Sequence, residues 1–166
     1  MRTVFNLLGP LTNPAGATRQ LIGAPSAQQA ELLANALAGL APERAFVVHG
    51  SDGLDEVTTT GATLVFEITG RDVRRFYWTP ADFGVQQADI GELRGGDRAR
   101  NSEIATAVLK GESGAQRDIV LVNSSAALLA SGIAVSPRDA MERAAHSIDS
   151  GAARTKLQRL VEFSRG

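Results

Sequence analysis

Apolar positions along the chain follow two periods, and each predicts its own kind of element. At the start Val4, Leu7 and Leu8 recur at helical spacing with Phe5 beside them. Gly9-Pro10 then ends that predicted helix, because glycine accepts a left-handed cap and proline cannot continue the hydrogen-bond ladder. The run Gln20 to Pro25, short, apolar and closed by proline, predicts a buried strand. Ser26 followed by Gln29 reads as a capping box, and Leu33, Ala36, Leu37 and Leu40 fall at i, i+3, i+4 and i+7 behind it, so a helix follows. Arg44 to Gly50 is continuously apolar and ends in His-Gly, as expected of a parallel strand covered on both faces. Gln20 to Val48 is therefore a strand, helix, strand unit.

Beyond it, "ATLVFEITG" and "VRRFYWTP" flank Gly70-Arg71-Asp72 and predict a hairpin with one wetter face, placed at a sheet edge. The remainder is helical. Asn101 or Ser102 is expected to cap a helix bearing Ile104, Ala105, Val108 and Leu109. Ser136 with Pro137 opens another, through Met141, Ala144, Ala145 and Ile148, and a last helix carries Ala153, Leu157, Leu160 and Val161. Asp118 to Gly132 fits two descriptions: its first half, Asp118 to Val122, has the look of a strand, and Ala126 to Ala130 that of a helix. No repeat or linker divides the chain, so one domain over residues 1–166 is expected.

Composition narrows the chemistry. At 166 residues, 43% hydrophobic and 21% charged, the chain has the size and balance of one globular domain. Seventeen Lys plus Arg against 18 Asp plus Glu give a net charge of -1, which provides no global attraction for nucleic acid or an anionic membrane. The absence of cysteine excludes disulfides, thiolate metal sites and cysteine nucleophiles, and makes the cytoplasm the default expectation. No apolar run approaches the roughly 18 residues that span a bilayer.

The ends of parallel strands are where ligands gather in such sheets, so "HGSDGLDE", His49 to Glu56, is the first place to search. Asp52, Asp55 and Glu56 crowd this loop, and a few carboxylates with waters and phosphate oxygens suit a hard cation such as Mg²⁺; a solvated acidic turn suits the same residues. Gly95-Gly96-Asp97 suggests a phosphate cradle only weakly, and a plain turn is favoured. His49 and His146 have no matching serine and carboxylate pattern, so His49 is expected to be structural and His146 exposed. The loop "GPLTNPAG" suits either a tight connection or a close substrate approach.

The stretches "RTVFNLLGPLTNPAG", "QLIGAPS", "VVHGSDGLDEVT", "LKGE", "RDIVLVNSSAALLASG" and "IDSGAARTKLQRLV" resemble, in order, the C-terminal portion of the anthranilate phosphoribosyltransferase family. The resemblance covers the whole chain. It implies an α/β fold, a mixed sheet with flanking helices, as in the large domain shared by these transferases and the nucleoside phosphorylases. The upstream strands and an N-terminal helical domain are expected to be missing. It implies transfer of phosphoribosyl from phosphoribosyl pyrophosphate to anthranilate, releasing pyrophosphate in tryptophan biosynthesis, with Mg²⁺ as cofactor. A cytoplasmic homo-oligomer, a homodimer, is the implied setting, with no nucleic-acid or membrane partner. By resemblance Asp55 and Glu56 match the acidic pair that binds Mg²⁺ with the diphosphate, and Gly9 and Pro10 match the turn bordering the anthranilate channel. The family's Gly-Thr-Gly-Gly-Asp loop, its Lys-His-Gly-Asn segment and the arginine just before the position of Arg2 have no counterpart in this sequence. The chain alone is therefore expected to be catalytically incomplete, with no residue serving as nucleophile. The rival expectations are a pyrimidine nucleoside phosphorylase, against which "GPLTNP" and "HGSDGLDE" argue, and a non-catalytic folding or assembly module.

Overall fold

Strand β1 (Arg19–Gly23), helix α1 (Ala27–Leu40) and strand β2 (Arg44–Gly50) form the expected unit, with β1 and β2 parallel and Leu21 opposite Phe46. The computed structural model describes residues 9–166, so the predicted opening helix with Val4, Phe5, Leu7 and Leu8 lies outside the described residues. Strand β3 (Thr63–Thr69) runs antiparallel to β2, and β4 (Asp72–Trp78) antiparallel to β3, giving a mixed sheet in the order β1-β2-β3-β4. The β3–β4 hairpin closes through Gly70 and Arg71 between the paired Thr69 and Asp72. Gly70 has φ 60°, the positive value that a two-residue hairpin turn needs at its first position. β4 is the wetter margin anticipated for the hairpin, exposed from Asp72 to Arg75.

Alternation along β2 and β3 builds two cores. Ala45, Val47, Leu64, Phe66 and Ile68 point to one face and meet Leu33, Ala34 and Leu37 of α1. Phe46, Val48 and Val65 point to the other and meet Val122, Ala126 and Leu129 of helix α3 (Ala115–Ser131). Trp78 closes this second core edge-on to Phe46, Phe76 and Phe83, at centroid distances of 5.1, 5.5 and 5.4 Å. Helices α2 (Arg98–Leu109) and α4 (Pro137–Asp149) meet α3 through Val108, Leu121, Ala144 and Ile148, and α5 (Ala152–Arg165) follows with no buried residue.

One open question is answered and two local expectations are corrected. The stretch Asp118 to Val122, which fitted either element, is helical, part of a continuous α3, because Leu121, Val122, Ser125, Ala126 and Leu129 bury a face at helical spacing. Helix α2 is capped by Asp97, whose carboxylate accepts from Arg100 N at 2.8 Å; Asn101 and Ser102 lie inside it. The buried face of α1 is Ala30, Leu33, Ala34 and Leu37, one turn earlier than the apolar count suggested, which leaves Ala36 and Leu40 exposed. Ser26 does cap α1, accepting from Gln29 N at 3.2 Å.

Candidate functional site

A cleft of about 440 Å³ opens beyond the carboxyl ends of β1 and β2 and against the first turns of α3. Leu21, Gly23 and Val48 supply its sheet side, Asn123 and Ser124 its helix side, and Asp55 with Glu56 its rim. Both carboxylates are exposed, and among the described residues no lysine or arginine lines the cleft. Among the described residues no group of three or more His, Cys, Asp or Glu could chelate an ion by itself. Two hard oxygen donors on an open rim nevertheless fit Mg²⁺, which keeps several waters and completes its octahedron with phosphate oxygens. Asp118, next to Ile119 on the helix wall, has its carboxyl pushed up by burial, with the Arg117 charge acting the other way.

The loop that carries the pair is held at several points. Asp52 accepts from Leu54 N at 3.1 Å, an Asx turn, and from the hydroxyls of Thr58 and Thr60. Burial opposes its charge, but these hydrogen bonds from Thr58, Thr60 and Leu54 outweigh it and hold the carboxyl below its usual range. Asp52 is thus occupied inside the loop and does not join Asp55 and Glu56 on the cleft. Gly23 lies directly beneath Asp55: a Cβ there would overlap the Asp55 carbonyl oxygen. Asn123 grips the next residue but one, since its Oδ1 accepts from Val57 N and its Nδ2 donates to Val57 O, both at 2.9 Å. His49 is structural, as anticipated, with Nδ1 donating to Ala24 O at 2.9 Å, and His146 is exposed.

The structure does not bring Gly9 and Pro10 to this cleft. They form a single 3₁₀ turn, Gly9–Leu11, and Pro10 borders a smaller depression of about 200 Å³ with Thr18, Leu37 and Pro42, at the other end of β1. Gly95-Gly96-Asp97 does lead straight into a helix. Its Gly96 N is taken by Asn101 Oδ1, and the Asp97 carboxylate occupies the helix start by accepting from Arg100 N, both at 2.8 Å.

Sequence reasoning missed Gly23, Asn123, Thr58 and Thr60. Two of them carried a signal: an isolated glycine in a strand pattern marks a close backbone approach, and an asparagine inside the apolar "VLVNSSAALL" asks what its amide bonds.

Residues 1–154 match the family model described as "Glycosyl transferase family, a/b domain". The chain is 60% identical over 164 residues to the anthranilate phosphoribosyltransferase of Solibacter usitatus (strain Ellin6076), a match covering 99% of this chain and 48% of that protein. It is 51% identical over 161 residues to that of Anaeromyxobacter dehalogenans (strain 2CP-C), covering 97% of this chain and 48% of the relative. The crystal structure of anthranilate phosphoribosyltransferase from Thermus thermophilus superposes with a TM-score of 0.87 at 38% identity, over 100% of this chain and 49% of the other. The Saccharomyces cerevisiae enzyme in complex with PRPP and Mg superposes with a TM-score of 0.86 at 28% identity, over 98% and 47%. The chain spans about half the length of the curated relatives that it matches. The match to the family model across nearly the whole chain, on a mixed sheet whose cleft lies at the strand ends, establishes that this chain belongs to the glycosyl transferase family, as its a/b domain.

Proposed function

We propose that this chain forms the metal-bearing side of an anthranilate phosphoribosyltransferase active site, and that Asp55 and Glu56 hold Mg²⁺ against the diphosphate of phosphoribosyl pyrophosphate. One observation carries the reading: two exposed carboxylates rim a strand-end cleft that, among the described residues, no lysine or arginine lines. A diphosphate brought to this rim meets the like charges of Asp55 and Glu56, and a cation between them relieves that repulsion. Departure of pyrophosphate from the ribose builds negative charge on the leaving group, and the bound cation neutralises it. Asp55 and Glu56 act as its ligands and take no proton. The acceptor amine is neutral and needs placement more than activation, so the apolar floor of Leu21 and Val48 contributes by excluding water. Gly9 and Pro10 enter the reading through the family motif alone, as the turn bordering the acceptor's route. The complete protein, in this reading, is a cytoplasmic homo-oligomer, in keeping with a cysteine-free chain of near-zero net charge.

The test compares the chain alone with the chain fused to the remaining half of the Solibacter usitatus relative, following anthranilate fluorescence with phosphoribosyl pyrophosphate and Mg²⁺. The expected outcome is no turnover by the chain alone and Mg²⁺-dependent turnover by the fusion. In the fusion Asp55→Asn and Glu56→Gln should each lower kcat/KM by about 10²-fold or more with an unchanged melt, the pattern of lost transition-state stabilisation. Wild-type kinetics in both variants across an Mg²⁺ titration would refute the metal role.

A further inference from the structure

We infer that Asn123, on α3, is a positioning residue for the acidic pair, working with Gly23 as a two-sided clamp on the Asp55–Val57 backbone; this rests on the metal role proposed above. The Asn123 amide is used completely along one edge. Oδ1 accepts from Val57 N, and Nδ2 donates to Val57 O at 2.9 Å and to Ile119 O, one turn back on its own helix, at 3.0 Å. Only this orientation of the amide works, because a flipped one would set an NH₂ against an N–H. The bond to Ile119 fixes the side chain to the helix, and the pair of bonds to Val57 fixes the loop to the side chain.

Val57 is buried, so without Asn123 its N–H and C=O would both be left without a partner. Helix α3 is anchored in the core by Val122 and Ala126, on either side of Asn123. Val57 packs in the same core, so the Asn123 bonds fix the direction of the backbone that leads back to the acidic pair. Val57 N belongs to the peptide unit that begins at Glu56, and movement there swings the Glu56 carboxylate. Gly23 acts from the opposite side: with Asp55 O lying where its Cβ would be, the absence of a side chain lets β1 support Asp55 at backbone distance. The acidic pair is therefore pinned at both ends, by a strand on one side and by a helix on the other. The clamp acts through the placement of Asp55 and Glu56.

The experiment uses the full chain with Mn²⁺ and inorganic pyrophosphate as the probe, read by paramagnetic broadening of the Asp55 and Glu56 amide signals. Asn123→Ala is compared with Ser125→Ala, which removes another buried hydrogen-bonding side chain from the same helix, one that bonds only Leu121 O. Asn123→Ala should need about 10- to 100-fold more Mn²⁺ for equal broadening, the usual effect of removing a partner that orients metal ligands. It should also displace the 55–57 amide signals before any metal is added, whereas Ser125→Ala should do neither. Gly23→Ala reaches the loop through β1 and should give the same pair of effects, so it decides the matter should Asn123→Ala fail to fold. If the wild-type chain broadens at Asp55 and Glu56 and both clamp variants titrate identically to it, the clamp is overturned while the metal role stands. If the wild type shows no broadening at these residues, the metal role and the clamp fall together.

Discussion

Replacing Glu67 tests how the sheet is tied to the helix that walls the cleft. Glu67 lies on β3 opposite Arg74 of β4, and its side chain is 13% exposed. Arg44 of β2 places Nε and Nη2 on one carboxylate oxygen at 3.0 and 2.7 Å, and Arg74 places the same atoms on the other at 3.2 and 2.6 Å. Arg44 also donates from Nη1 to Leu129 O of α3 at 2.9 Å, so one carboxylate fixes a guanidinium that joins strand to helix. Arg74 is 72% exposed, and its share is that of a surface pair, at most about 1 kcal/mol. Arg44 is 31% exposed, so its share falls well below the roughly 3–5 kcal/mol of a fully buried pair broken on one side, at about 2 kcal/mol. Glu67→Gln keeps the shape and one acceptor but loses the charge, and should cost about 2 kcal/mol, which for a chain of this size is about 4–8 °C in the melting temperature.

The pH dependence sets the sign. Burial of Glu67 acts to raise its carboxyl, but hydrogen bonds and charge from Arg74 and Arg44 override it and hold the group below its ordinary value. A carboxylate depressed in the folded state stabilises fully above its unfolded pKa of about 4.3, and that contribution is lost as pH falls through the lower folded value. Urea melts of wild type and Glu67→Gln should therefore differ most at pH 7 and converge in acid below the folded pKa. A gap of equal size at both ends would show that the substitution acts through packing, and the ion-pair account would be wrong.

Two smaller predictions concern the loops and caps. Ser136→Ala removes the oxygen that accepts from Asp139 N at 3.2 Å and should lower stability by about 1 kcal/mol in the same urea assay, with Ser136→Gly costing only a few tenths; equal losses would refute the cap. Asp52→Asn keeps one acceptor oxygen, which can serve the Thr58 and Thr60 hydroxyls or Leu54 N but not all three, so hydrogen exchange at the Leu54 and Thr60 amides should quicken, and unchanged exchange would show that the loop is held elsewhere.

The parts of the fold legible in the sequence are those whose pattern admits one period. Ala45 to Val48 is apolar throughout because both faces of β2 are covered, and Thr69 to Asp72 turns on a glycine of positive φ. Asp118 to Val122 resisted because Ile119, Val120 and Val122 are β-branched and nearly contiguous, which suits either element; contacts made with β2 and α4 decide for a helix. The α1 face was misplaced because alanine counts as apolar in a pattern but commits to neither side, and Ala30 and Ala34 are buried where Ala36 is not. In the candidate site the carboxylates stood out locally, as a run of charge after a buried strand. The residues that hold them did not, because Gly23 and Asn123 come from β1 and α3 and meet the loop only when the sheet is assembled.

That assembly gives the cleft a place in time as well as in space. β2, β3 and β4 pair with their sequence neighbours, so the meander can close on local contacts, and the Asp52 turn forms within the β2–β3 connection. The bond between Val57 and Asn123 spans 66 residues and waits until α3 has docked, a slow closure in loop-entropy terms. A nascent or refolding chain would thus carry its sheet and its acidic loop before it carries a shaped rim. In the proposed metal role, cation affinity at Asp55 and Glu56 would arrive last, as a report that the helix is home.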